Sequence, residues 1–279
     1  MALYYTWMQQ YFPFEWAQYD FMLNALLAVL LVTPLFGILG TMVVNNKMAF
    51  FSDAIGHSAL TGIAIGVLLG MQDPLAAMLV FAVLLAVGIS LVKAKGNSSP
   101  DTIIGVFSST AVALGIVILS RGGGFAKYSN FLIGDLLSIS TQQILLLAAV
   151  LFLVLVFWGG FFNQLLLVSI NPSLARSRGV NVRGIEIAFS VIMAIVVTIS
   201  IQWVGILIIN SLLVLPAATA RNVAMNMRQY HLIALLVALV SGLSGLIFSY
   251  YWGTATGATI VLCASIFFIL SLFLKPKSN

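Results

Sequence analysis

Apolar runs of near membrane-spanning length alternate with short polar connections along the whole chain. The runs cover approximately 21–44, 54–70, 75–91, 102–119, 143–161, 184–201, 204–220, 232–250 and 257–273. A helix needs roughly 20 apolar residues to cross a hydrocarbon core about 30 Å thick. The pattern therefore predicts nine crossings. A shorter apolar piece at 131–138, interrupted by Gly134 and Asp135, is too short to cross and reads as a short helix at the external mouth, with Asp135 as a solvated helix-end acid. Eight spans is the alternative count if 45–75 or 120–142 holds broken or re-entrant pieces. The expected fold class is an all-α polytopic membrane protein with about nine transmembrane helices and some broken or re-entrant segments.

Composition narrows this further. Of the 279 residues 62% are hydrophobic and 7% charged, and the mean hydropathy is +1.14, against roughly 25% charged residues in ordinary soluble domains. No separate soluble domain fits between the runs. Residues 1–20 are expected to form an interfacial aromatic arm, 21–274 a single transmembrane domain and 275–279 a cytoplasmic tail. The arm carries Tyr4, Tyr5, Trp7, Tyr11, Phe12, Phe14, Trp16 and Tyr19 without a lysine or arginine, which suits the headgroup region better than a signal peptide.

The net charge of +5 resides in the connections. With the Lys275/Lys277 tail inside, alternation places Lys47, Lys93, Lys95, Arg176, Arg178, Arg183, Arg221, Arg228, Lys275 and Lys277 inside and leaves only Arg121 and Lys127 outside. That asymmetry fixes the expected orientation, with the C-terminus cytoplasmic, the aromatic N-terminus outside and Asp73-Pro74 in a tight external turn. Cys263 is the single cysteine, so neither an intrachain disulfide nor a cysteine metal cluster is available.

Candidate chemistry concentrates at Ser52-Asp-Ala-Ile-Gly-His-Ser-Ala-Leu-Thr-Gly62. Charged groups are expensive in a bilayer. Asp53 and His57, four residues apart, share one helix face and offer an oxygen and a nitrogen donor suited to Zn²⁺, Mn²⁺ or Fe²⁺. Gly62, Gly66 and Gly70 follow as a GxxxGxxxG stripe that permits close helix packing. Further on, Pro216 removes a backbone hydrogen bond and is expected to bend or end its helix, after which Ala217, Ala218 and Ala220 allow close approach. Residues Arg221 to His231 then form a basic amphipathic stretch long enough for one short helix on the membrane surface, suited to a cytoplasmic partner or to lipid headgroups.

Several enzyme classes are excluded. The chain has no G-x-x-x-x-G-K-[ST] phosphate loop, no H-E-x-x-H zinc site and no nucleophile elbow, and its only histidines are His57 and His231. The chain therefore cannot bind ATP through such a loop, and no cofactor is expected to be permanently bound. Transport is the remaining function.

Asp-Ala-Ile-Gly-His-Ser-Ala-Leu-Thr-Gly at 53–62, Leu-Leu-Val-Leu-Pro-Ala-Ala-Thr-Ala at 212–220 and Gly257-Ala-Thr-Ile-Val resemble the permease subunits of the bacterial zinc/manganese/iron ABC importers, the ABC-3 family. The likeness covers nearly all of the chain after the N-terminal arm. It implies a homodimeric permease in the bacterial cytoplasmic membrane, ATPase subunits on the cytoplasmic side and an extracytoplasmic binding protein that delivers a divalent metal ion as substrate. It places the metal pair on Asp53 and His57, and a coupling helix toward the ATPase on about 221–231, with Arg221, Asn222, Met225, Arg228 and His231. Three departures stand out: Gly56 where relatives often have Ser, Thr61 where they often have Pro, and no acid near Asn171. The competing class is an ATP-independent secondary transporter or channel for divalent cations using the same pair.

Overall fold

Each apolar run becomes a helix in the computed structural model, which describes residues 14–95, 98–122 and 136–274. In chain order these are α1 (Asp20–Asn45), α2 (Phe51–Leu68), α3 (Leu75–Lys95), α4 (Pro100–Gly122), α5 (Thr141–Ile170), the short α6 (Pro172–Ser177), α7 (Val182–Val204), α8 (Ile206–Val223), α9 (Met227–Trp252) and α10 (Thr256–Phe273). Among the described residues nine helices are long and apolar enough to cross a membrane, and there is no strand. The fold is all-α and polytopic. Single-turn 3₁₀ segments at Glu15–Gln18 and Leu136–Ser138 complete the elements. Most of the aromatic arm, residues 131–135 with Asp135, Lys127 and the Lys275/Lys277 tail lie outside the described residues.

The helices group into two compact units, drawn from Met1–Thr41, Asp135–Leu153 and Ser211–Asn279 for the first, and from Met42–Gly134 and Val154–Asn210 for the second. In the first unit α9 and α10 form a hairpin closed at Gly253, whose left-handed backbone (φ +61°) ends α9. Gly245 lets α10 approach so closely that a Cβ there would lie 2.5 Å from Ile260 Cα. The Ser249 and Thr256 hydroxyls meet at 3.0 Å, and the Tyr230 hydroxyl donates to the Thr41 carbonyl at 3.2 Å. Pro216 lies inside α8 and the helix continues to Val223, so the proline does not end its helix. A membrane helix tolerates proline because its remaining carbonyls are re-satisfied nearby.

The second unit is built around α2, most of whose residues are buried. Alanines, glycines and small hydroxyl residues give it little bulk, so α3, α4 and α7 all pack directly on its backbone. A Cβ on Gly62 would sit 2.5 Å from Met78 Cα, and one on Gly66 within 3.2 Å of Pro74 and Ala77. Gly70, expected to extend this stripe, does not pack: α2 ends at Leu68, and Gly70 (φ +71°) terminates it, with its own N–H on the Val67 carbonyl and the Met71 N–H on the Gly66 carbonyl. This is the Schellman arrangement that favours glycine. Asp73 Oδ1 then accepts from the Leu75 N–H at 2.9 Å and starts α3. On another side the Thr61 hydroxyl donates to the Ala111 carbonyl of α4.

The break in the 184–220 region falls at Gly205, the one residue between α7 and α8. Its backbone (φ +85°, ψ +149°) is closed to side-chain-bearing residues. Gly205→Ala should therefore lower stability by about 1–3 kcal/mol, read as a lower unfolding midpoint in detergent. An unchanged midpoint would show that the turn relaxes freely.

Candidate metal site

Asp53 lies in the first turn of α2 and His57 one turn later. His57 Nε2 is 3.3 Å from Asp53 Oδ1, and the two side chains are 49% and 46% exposed. Their neighbours Ala54, Ile55, Gly56, Ser58, Ala59 and Leu60 are all buried. Apart from its last turn, where Val67 and Leu68 are exposed, the helix is mostly wrapped by its own chain and keeps this polar face open. Gly56 contributes by lacking a side chain, since a Cβ there would lie 2.4 Å from Ile206 Cδ1. A serine at that position would meet the start of α8.

Ile206 and the turn at Gly205 bring a third group to the pair. Asn210, in the first turns of α8, donates from Nδ2 to Asp53 Oδ1 at 2.7 Å. The sequence reading missed this residue. The available signal was an amide inside the apolar run Ile206-Leu-Ile-Ile-Asn-Ser-Leu-Leu, where a polar group asks for a partner. Asn210 Oδ1 is closed to solvent and has no hydrogen-bond partner among the described residues, a desolvation penalty of about 1–3 kcal/mol.

Helix register places the pair along the unit. Met78 of α3 is level with Gly62, nine residues after Asp53 or roughly 14 Å of helix, while α3 continues about 25 Å past Met78 to Lys95. Asp53 therefore lies well inside the length of α3, about 12 Å short of its C-terminal end. Near that end Lys93 Nζ contacts Glu186 Oε1 of α7 at 3.4 Å, a partly exposed ion pair that ties α3 to α7. α2 consequently starts part-way along its neighbour. The apolar run at 54–70 is correspondingly short.

The Asp53 oxygen and His57 nitrogen are fitting donors for a borderline divalent cation, and the Asn210 amide, with its NH₂ end on Asp53, supports the carboxylate rather than joining the donor set. No group of three or more His, Cys, Asp and Glu side chains converges among the described residues. The pair therefore offers two strong donors in one chain, fewer than the four of a closed tetrahedral site.

The 221–231 stretch differs from its expected form. It contains no separate short helix: α8 runs on to Val223, Ala224 to Asn226 turn, and α9 begins at Met227, its start capped by Asn226 Oδ1 accepting from the Gln229 N–H at 2.9 Å. Arg221, Met225 and Arg228 are exposed, whereas Asn222 donates to the Ser271 hydroxyl at 2.9 Å and the His231 ring lies 5.6 Å from that of Tyr230 with both nitrogens closed to solvent. A short exposed helix does occur at α6, whose residues are exposed except Ala175. Asn171 caps it, its side-chain oxygen accepting from the Leu174 N–H at 3.0 Å. An amide oxygen thus serves where an acid would cap equally well.

The sequence profile of the ABC 3 transport family matches residues 18–275. The chain is 32% identical to the high-affinity zinc uptake system membrane protein of Haemophilus influenzae over 260 residues, 93% of this chain and 99% of that protein. It is 30% identical to a manganese transport system membrane protein of Listeria innocua, over 94% of this chain and 93% of that one. Among solved structures it is similar to PsaBC from Streptococcus pneumoniae in complex with Fab, with a TM-score of 0.80 and 28% identity over 99% of this chain and 97% of the other.

Proposed function

The chain belongs to the ABC 3 transport family, and on that premise we propose that it is the membrane-spanning permease subunit of an ATP-driven importer that receives a divalent transition metal ion from an extracytoplasmic binding protein. The observation that carries the site assignment is the open Asp53/His57 face on an otherwise buried helix. In a homodimer, two such faces would supply two carboxylates and two imidazoles, enough for a four-ligand site that one chain does not complete. Their negative charge offsets part of the desolvation of the cation.

Orientation follows from the basic residues, which put the C-terminus in the cytoplasm of a bacterial cell and 21–274 across its inner membrane. The exposed Arg221, Met225 and Arg228 are then on the cytoplasmic side, where an ATPase subunit would dock. Asn222 and His231, held within their own unit, support that surface from behind. Under this orientation α2 starts from the inside and α8 from the outside, yet their first turns are joined by the Asn210–Asp53 hydrogen bond. Both helices would then begin within the bilayer, and the metal pair would lie at depth. Zinc and manganese are the metals of the relatives' names, and carboxylate plus imidazole suits either.

The test is metal accumulation in proteoliposomes containing the chain with its ATPase and binding-protein partners. Uptake of zinc or manganese should require ATP and all partners. Equal flux through the isolated chain without ATP would overturn the importer assignment in favour of a channel or secondary transporter.

A further inference from the structure

Asn210 and His57 both address the same oxygen of Asp53. The Asn210 amide donates to Oδ1 at 2.7 Å and His57 Nε2 lies 3.3 Å from that same oxygen. An ionised carboxylate only accepts hydrogen bonds, so the amide must present its NH₂ end to Asp53. The opposite end, Oδ1 of Asn210, faces a buried position without a donor among the described residues. Turning the amide around would set oxygen against oxygen, so its orientation is fixed. Gly205, in a backbone conformation closed to side-chain-bearing residues, is the turn from which α8 starts and carries Asn210 to α2.

Carboxylates that bind metals take one of two forms. With both oxygens free a carboxylate can chelate, which suits larger, oxygen-preferring ions of high coordination number such as Mn²⁺. With one oxygen engaged by a strong donor it offers the other alone, which suits the four-coordinate geometry of Zn²⁺. We propose that Asn210 is a positioning residue that holds Asp53 in the one-oxygen mode and thereby biases the permease toward zinc over manganese. This rests on Asp53 and His57 forming the metal path.

The test uses the reconstituted full importer, with zinc and manganese supplied in turn and together, comparing wild type with Asn210→Ala, Asn210→Ser and Asn210→Gln. In Asn210→Ala the zinc concentration for half-maximal uptake should rise about 10–100-fold, the usual consequence of losing a hydrogen bond behind a metal ligand. The maximal rate should change little, and the manganese-to-zinc uptake ratio should rise. Asn210→Gln, which keeps an amide donor on a longer arm, should recover part of the zinc preference. Assembly with the ATPase, read by size-exclusion chromatography, should be unaffected. Should Asn210→Ala fail to assemble, Asn210→Ser supplies the same comparison. An unchanged ratio with unchanged zinc affinity overturns the proposal, and so does an equal loss for both metals, which would mark Asn210 as structural only. Asp53→Ala and His57→Ala run alongside separate the two levels: if they lose uptake while Asn210→Ala is normal, only the role of Asn210 falls, and if they keep uptake the metal path itself is wrong.

Discussion

Asp53→Ala and His57→Ala should each reduce metal uptake by the complete importer at least about 100-fold while leaving the subunits assembled. The magnitude follows from the donor inventory. One chain contributes two strong donors, Asp53 and His57, with no larger cluster among the described residues, so each substitution removes half of what the chain offers. Loss of a supporting contact behind a ligand already costs about 10–100-fold, and loss of the ligand should exceed it. Assembly should survive because both side chains are about half exposed and pack little. Asp53→Asn separates charge from shape: it retains the size of the side chain but not the negative charge that offsets cation desolvation, and it should fail nearly as completely as alanine. Uptake measured with radiolabelled metal, beside the basal ATPase rate, reads both quantities. Full uptake by either alanine variant would sink the assignment.

The second large effect is on the fold. Gly62→Leu should prevent α2 and α3 from closing, because even the first added carbon would lie 2.5 Å from Met78 Cα, a backbone atom that cannot swing aside. Overpacking of this kind typically costs about 1–3 kcal/mol and sometimes more, and leucine adds three further carbons. Folded protein recovered in detergent should fall sharply, and uptake with it, since α2 carries Asp53 and His57. Gly70→Ala provides the contrast. Nothing lies within 4 Å of a Cβ there, so its penalty is only the left-handed backbone (φ +71°), about 1–2 kcal/mol. A milder defect in Gly62→Leu than in Gly70→Ala would show that the α2–α3 contact is not as close as described.

The difference between Gly62 and Gly70 illustrates how far the chain could be read before folding. Repetition at four-residue spacing identifies a stripe, and a helix through all of it is the natural expectation. Where the helix stops depends on which carbonyls find other donors, and here Gly66 and Val67 are taken by Met71 and Gly70. Pro216 misled in the opposite direction: it looked like a break, while the true break lies at Gly205. Proline advertises its cost in the sequence, whereas glycine at a strained turn looks like any other glycine in a chain with 23 of them. α5 likewise outran its expected end near 161 and reached Ile170, because Asn163 and Gln164 are tolerable in a helix and the first residue that stops it is near Pro172.

Some properties were set by the sequence alone. Hydropathy and length dictate about nine apolar helices, with eight the alternative, and nine long apolar helices form among the described residues. The spacing of Asp53 and His57 dictates a shared face, because a helix repeats every 3.6 residues. Both are local consequences of chain geometry and solvent. Only the tertiary structure decided that α2 starts part-way along α3, that its remaining faces are covered while the Asp53/His57 face stays open, and that Asn210, 157 residues from Asp53, closes on one carboxylate oxygen. Those depend on the Gly205 turn and on which glycines admit a neighbouring backbone, and such long-range contacts have no spacing rule to announce them.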